Sequence, residues 1–238
     1  GNDIIVVGTR TVTAGTVFNT DAGDTLSLGT GANIVGVNAE SGGNGSAFDA
    51  NNLTLANNAS VTMTAAQSTS FSGTITAAGD ETITLSNTAN ATGVANVEDY
   101  VLAAGTQTFT LGANAQSVTA DATGNNETIT IDTGALTTVT GTFANGGGND
   151  SIDVTLTTND VDISGATTAN VTNIDLASGV DATMTIAQNA KINAAADANT
   201  VTLSDAGTAS GDALVEGYVL AAGTQTFTLG ANAQSVTA

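Results

Sequence analysis

Apolar and polar positions alternate along much of this chain with a period of two. In Thr82-Ile83-Thr84-Leu85, Thr108-Phe109-Thr110-Leu111, Thr128-Ile129-Thr130-Ile131 and Thr200-Val201-Thr202-Leu203 the second and fourth residues are apolar and the first and third are Thr. A period of two places one set of side chains in a core and the other in water, so each run predicts a half-buried β-strand. The runs are 3 to 5 residues long and are separated by segments rich in Gly, Asn, Asp and Ala, while helix signals are nearly absent. Two architectures satisfy such a pattern, a parallel β-solenoid with two or more strands per coil and a string of antiparallel β-sandwich domains. The short strands and the absence of Pro and Trp favour the all-β parallel solenoid, because a coil needs only to stack on the next.

The pattern also repeats on a longer scale. Residues 97–120, VEDYVLAAGTQTFTLGANAQSVTA, recur at 215–238 with a single difference, Asp99 against Gly217. More distant copies register on their first apolar residue at Ile4, Leu53, Tyr100, Ile174 and Tyr218, with an insert over 137–165. This spacing predicts an array of about five degenerate repeats grouped into super-repeats of about 120 residues, 1–120 and 121–238. An active site is needed once, whereas a building unit is needed many times. The last copy stops in mid-unit, which predicts continuation in a longer polypeptide or completion by another copy.

Composition narrows the function classes. Arg10 and Lys191 are the only basic residues against 22 acidic ones, for a net charge of −20. Phosphate binding is driven by Lys and Arg, so nucleic acid is excluded as a partner and cations are the natural counterparts. There is no Cys and no His, hence no disulfide and no thiolate site. Carbohydrate-active β-helix enzymes gather acids, bases and aromatic platforms in one groove. With no Trp and 3% aromatic residues, this chain is expected to be non-catalytic. No apolar run is long enough to span a bilayer as a helix.

The sharpest local signal is GGGNDSIDV, Gly146 to Val154. Consecutive glycines let a backbone curl its carbonyls toward one point, and an Asp adds the charge that Ca²⁺ favours. The stretch resembles the calcium-binding nonapeptide of RTX parallel β-rolls. That resemblance implies Gly146, Gly147 and Gly148 as turn residues offering carbonyls, Asp150 as carboxylate ligand and Ile152 as the inward apolar residue. The following coil departs from the nonapeptide, with Thr in place of the glycines and Asp160 ten residues on from Asp150. Degenerate echoes at 21–28, 77–85 and 122–131 add Asp24 and Asp80 as candidate ligands.

The unit starts NVEDYVLAAG and NVTNIDLASG resemble segments that punctuate bacterial surface-layer proteins and giant RTX-type adhesins. That likeness implies secretion, display on the cell surface, calcium as a structural ion, and a lattice, filament or stalk made of copies of the chain, with cell-surface polysaccharide as a further partner. Thr-x-Thr rows at 9–16 and 137–142 raise an alternative, matching of an ice lattice by a flat β face, although Asp153, Asn170 and Ala182 break the regularity. Tyr100 and Tyr218 recur at equivalent positions and are expected to pack in the core.

Overall fold

A computed structural model describes every residue except 1, 15, 19, 21, 22, 39–51, 122–127, 148, 149, 197, 224, 225 and 232. Among the described residues twenty-four strands follow one another. The first eight are β1 (Ile4–Gly8), β2 (Thr16–Val17), β3 (Thr25–Leu28), β4 (Val37–Asn38), β5 (Asn52–Leu55), β6 (Ser60–Met63), β7 (Ile75–Thr76) and β8 (Thr82–Leu85). The middle of the chain gives β9 (Ala91–Thr92), β10 (Asp99–Val101), β11 (Gln107–Thr110), β12 (Ser117–Thr119), β13 (Thr128–Asp132), β14 (Phe143–Ala144), β15 (Ser151–Leu156) and β16 (Val161–Asp162). The last are β17 (Val171–Leu176), β18 (Ala182–Met184), β19 (Ile192–Ala195), β20 (Thr200–Leu203), β21 (Thr208–Ser210), β22 (Gly217–Val219), β23 (Thr226–Thr228) and β24 (Ser235–Thr237). Two short helices, α1 (Ala65–Ser70) and α2 (Ile186–Asn189), complete the elements.

The pairing rule is simple. Odd-numbered strands pair only with odd-numbered neighbours and even-numbered with even, and each pairing is parallel. The chain therefore winds between two faces, laying one strand on each per coil, which is a parallel β-solenoid. The Thr-rich alternation makes this possible, since β-branched residues fit a pleated, half-buried surface. In all four alternating runs the apolar residues are buried and the Thr residues half-buried.

Register turns the alternation into columns. Leu26, Leu53 and Ile75 stack on the odd face, and farther along the same face Phe109, Ile131, Val154 and Ile174 follow. On the even face Val61, Ile83, Tyr100, Val118 and Phe143 form one column. The two sets meet in one continuous core of small and medium side chains. Ile4, Leu53 and Ile174 lie on the odd face, and Tyr100 and Tyr218 on the even.

Both helices begin with a capping box. Thr64 and Gln67, and likewise Thr185 and Gln188, exchange side-chain and backbone hydrogen bonds across the first turn, each satisfying donors that a helix start leaves open. Helix α1 leads into β7 and α2 into β19, and the odd-face ladder is interrupted after each of these strands.

Candidate functional site

The turn at Asn145–Asp150 joins β14 to β15. The strands that flank it stack on those of the preceding coil, β14 on β12 and β15 on β13. Gly146 and Gly147 have φ of 60° and 95°, a conformation that glycine adopts without strain. At Gly146 the requirement is also steric, since a Cβ would lie 2.1 Å from Ala120 O and 2.6 Å from Asp121 O. Backbone oxygens of one coil are thus pressed against the turn of the next. Asp150 is buried at the start of β15, and Ile152 is fully buried, pointing inward. Gly148 lies outside the described residues.

The other sequence-derived candidates occupy separate turns. Asp24 is buried and accepts a hydrogen bond from the Asp3 N–H at 2.9 Å. Asp80 is exposed and its N–H donates to Asn58 Oδ1 at 3.0 Å. Asp160, also exposed, sits at φ 58°, as Asp and Asn do in tight turns. Of the six candidates the structure brings Gly146 and Asp150 into one turn and leaves Asp24, Asp80 and Asp160 in three others. Among the described residues no group of three or more His, Cys, Asp or Glu is placed to hold a metal. Carbonyl oxygens and a carboxylate are the donor types a calcium ion accepts, so the chemistry of the 145–150 turn fits that ion while its described carboxylates are few.

A second acidic feature lies at the corner entering the even face. Glu81, fully buried, accepts from the N–H groups of Asn58 and Ala78 through Oε1, both at 3.1 Å. Its own N–H donates to Glu98 Oε2 in the next coil at 3.2 Å. Burial, helped by the side-chain hydrogen bond and charge of Glu81 and opposed by the Glu81 N–H, holds the Glu98 carboxyl above its usual value. The same corner recurs one super-repeat later with an amide, where the Asn199 N–H donates to Glu216 Oε2 at 2.9 Å.

Polar staples between coils are the feature the sequence did not reveal. Gln116, buried, accepts from the Gly112 and Ala113 N–H groups and donates through Nε2 to Val94 O and Val97 O of the preceding coil, at 2.7 and 2.9 Å. Gln234 repeats the arrangement with Gly230, Ala231, Asp212 and Val215. Gln188 reaches Ile163 O and Ala166 O in the same way. Lys191 caps Thr168 O, Ala169 O and Val171 O, and burial pushes its ammonium pKa down. The available signals were T-x-x-Q at the helix starts and G-A-N-A-Q in the repeat.

The repeated 24 residues build the same contacts twice. Tyr100 accepts from the Val94 N–H at 2.7 Å and Tyr218 from the Asp212 N–H at 2.8 Å. The Tyr100 and Phe109 rings lie 4.6 Å apart at 49°, and those of Tyr218 and Phe227 4.7 Å apart at 50°. Burial pushes both tyrosines up to about 12. Equivalent clefts flank the helices, one of about 460 Å³ lined by Ser68, Thr92 and Gly93, the other of about 310 Å³ lined by Asn189, Ser210 and Gly211. Hydroxyls, amides and small apolar groups dominate both. On the even face the outward pairs Ser60/Thr62, Thr82/Thr84, Asp99/Val101 and Ser117/Thr119 succeed one another, so the Thr row is interrupted at β10.

No protein-family model matches this chain, nor does any curated protein or solved structure. Its fold places it among parallel β-solenoids, with two strands per coil.

Proposed function

We propose that this chain is a non-catalytic structural protein of a cell surface, secreted and self-assembling into a layer, fibre or adhesin stalk. The observation that carries the reading is the duplicated coil. Residues 97–120 and 215–238 reproduce the same staple, the same tyrosine hydrogen bond and the same ring pair. A column of equivalent coils, each contacting only its neighbours, transmits force and length along one axis. Reaction chemistry at a single site gains nothing from such duplication.

Calcium belongs to this proposal as a structural ion. Gly146, with the carbonyls of Ala120 and Asp121 beside it, and Asp150 of the same turn would supply oxygen donors there, and a divalent cation would relieve part of the repulsion among the 22 acidic residues. Native mass measurement and negative-stain images with calcium and with a chelator test both parts. Elongated assemblies in calcium that shorten or dissociate on chelation are expected. Monomeric globules indifferent to chelation would overturn the reading, and thermal hysteresis in cold solution would favour lattice matching by the Thr rows instead.

A further inference from the structure

One buried acid has no basic partner. Glu81 stands ahead of β8 with its side chain fully buried, while the two basic residues lie elsewhere, Arg10 between β1 and β2 and Lys191 on the carbonyls of the 168–171 turn. Burying a carboxylate is costly unless its oxygens find donors. Oε1 has two, the N–H groups of Asn58 in the preceding coil and of Ala78 in its own. Oε2 is buried as well, and no N–H or O–H donates to it.

What meets the Glu81 side chain is a second carboxyl. Glu98, ahead of β10 in the next coil, accepts the Glu81 N–H on its Oε2 at 3.2 Å, and the two side chains are also within hydrogen-bonding reach of each other. Ionised carboxylates are acceptors only, so two of them bond only when one carries a proton. With Glu81 Oε1 occupied by two N–H groups, Oε2 is the acceptor left for an O–H on Glu98. The bonding is then reciprocal, backbone N–H to Glu98 in one direction and carboxyl O–H to Glu81 in the other. Glu98 is half-buried and lines a cleft of about 160 Å³ with Asn96, Ala113 and Gln116, so its proton exchanges with solvent while Glu81 stays covered.

The second super-repeat builds this corner with no acid in the buried place. Asn199 stands there, gives its N–H to Glu216 Oε2 at 2.9 Å, and donates through Nδ2 to Ala177 O and Val180 O, both at 2.8 Å. An amide supplies donors at every pH, whereas a carboxyl supplies one only when protonated. Around the first corner the other titratable groups are Asp80 ahead of β8 and Asp99 and Tyr100 in β10. The flanking coils offer none, with Asn57, Asn58 and Ala59 ahead of β6 and Ala115, Gln116 and Ser117 leading into β12. The charge that acts on Glu98 is that of Glu81.

We propose that Glu98 carries a proton that it shares with Glu81, so that the two acids form a proton-operated clamp between successive coils of the first super-repeat. The clamp stands apart from the calcium and self-assembly readings above. It is closed in acid, complete below 4.5, and opens as pH rises through the raised Glu98 value. Carbon-13 titration of the side-chain carboxyls tests it first. The Glu98 midpoint should lie above 4.5 in the unaltered chain and fall back toward 4.5 in Glu81→Asn, a variant whose fold is supported by Asn199 at the equivalent corner. A midpoint that Glu81→Asn leaves in place would overturn the clamp. Chemical denaturation at neutral pH then separates a shared proton from relief of charge repulsion alone. Glu98→Gln holds a donor toward Glu81 at every pH and should be more stable there than the unaltered chain, whereas Glu98→Ala, with neither donor nor acceptor, should fall below Glu98→Gln. Equal stability of the Gln and Ala variants, or no gain in Glu98→Gln, would contradict the proposal. Added calcium at neutral pH should stabilise the unaltered chain no more than Glu81→Asn. A calcium gain confined to the unaltered chain would put a metal, not a proton, between the two acids.

Discussion

Tyr100 and Tyr218 show how one side chain can serve both core and coil-to-coil bonding. Each buries its ring in an apolar column while its hydroxyl satisfies a backbone N–H that would otherwise be stranded at a corner. Tyr100→Phe keeps the packing and strands the Val94 donor, which should cost about 1–3 kcal/mol in chemical denaturation. Both phenols titrate at about 12 rather than 10.0. A raised folded-state value means their contribution is complete below pH 10.0 and lost as pH rises toward about 12, so stability should fall across that window. Tyr100→Phe should flatten the decline, and an unchanged profile would contradict the assignment. For Glu98 the direction is the same at acid pH. Its raised value means stability is greatest below the ordinary 4.5 and diminishes as pH rises through the raised value, and Glu98→Gln should remove that dependence. The repeated aromatic supplies an internal control. Phe109→Ala should cost about 3–5 kcal/mol, and Phe227→Ala clearly less in the monomer because its ring is already partly in water.

Strands and turns carry different constraints. The strands depend on alternation, whereas the turns depend on how closely successive coils approach. At Gly112 a Cβ would lie 1.8 Å from Gly93 O, and at Gly230 2.0 Å from Gly211 O. Neither backbone can give way without parting the coils, so Gly112→Ala should lower stability by at least ~3 kcal/mol in a denaturation experiment. Gly147 has φ 95° with nothing within 4 Å of its Cβ position, so Gly147→Ala should cost only about 1–2 kcal/mol, from conformation alone. Equal costs at the two sites would refute the close-approach account. The strands were legible because Thr alternating with Val, Ile, Leu or Phe has one physical reading, and Ile152 was placed inward correctly. The apolar run Ile4-Ile5-Val6-Val7 was less informative. Its residues alternate outward and inward like any strand, and nothing covers the outer layer, so Ile4 and Val6 are 67% and 71% exposed. The glutamine staples were not legible, since a buried Gln bonded to two coils has the same sequence context as a solvated one until the coils are stacked.

Across the molecule, parity of the strands makes one column from the 24 short pieces among the described residues. Sequence patterning reached the parallel solenoid but not the assignment of strands to faces, because odd and even strands share the same Thr-rich alternation. It likewise grouped the acidic turns by resemblance, whereas of the described candidates only Gly146 and Asp150 share a turn, the connection of β14 to β15. The net charge of −20 predicts that assembly strengthens with added monovalent salt, as repulsion between copies is screened, which light scattering at fixed protein concentration would check. The column itself is tested most directly by spin-label distances along one outward row. Thr92, Thr110, Asp132, Thr155, Asp175 and Ala194 are successive partners on the odd face, and the chain has no native Cys to interfere. Cysteine pairs at Thr92 with Ala194 and at Thr110 with Ala194 should give narrow distributions near about 24 Å and 19 Å, one strand spacing of about 4.8 Å apart. Broad distributions, or distances that do not shorten by one such step, would contradict a continuous parallel column.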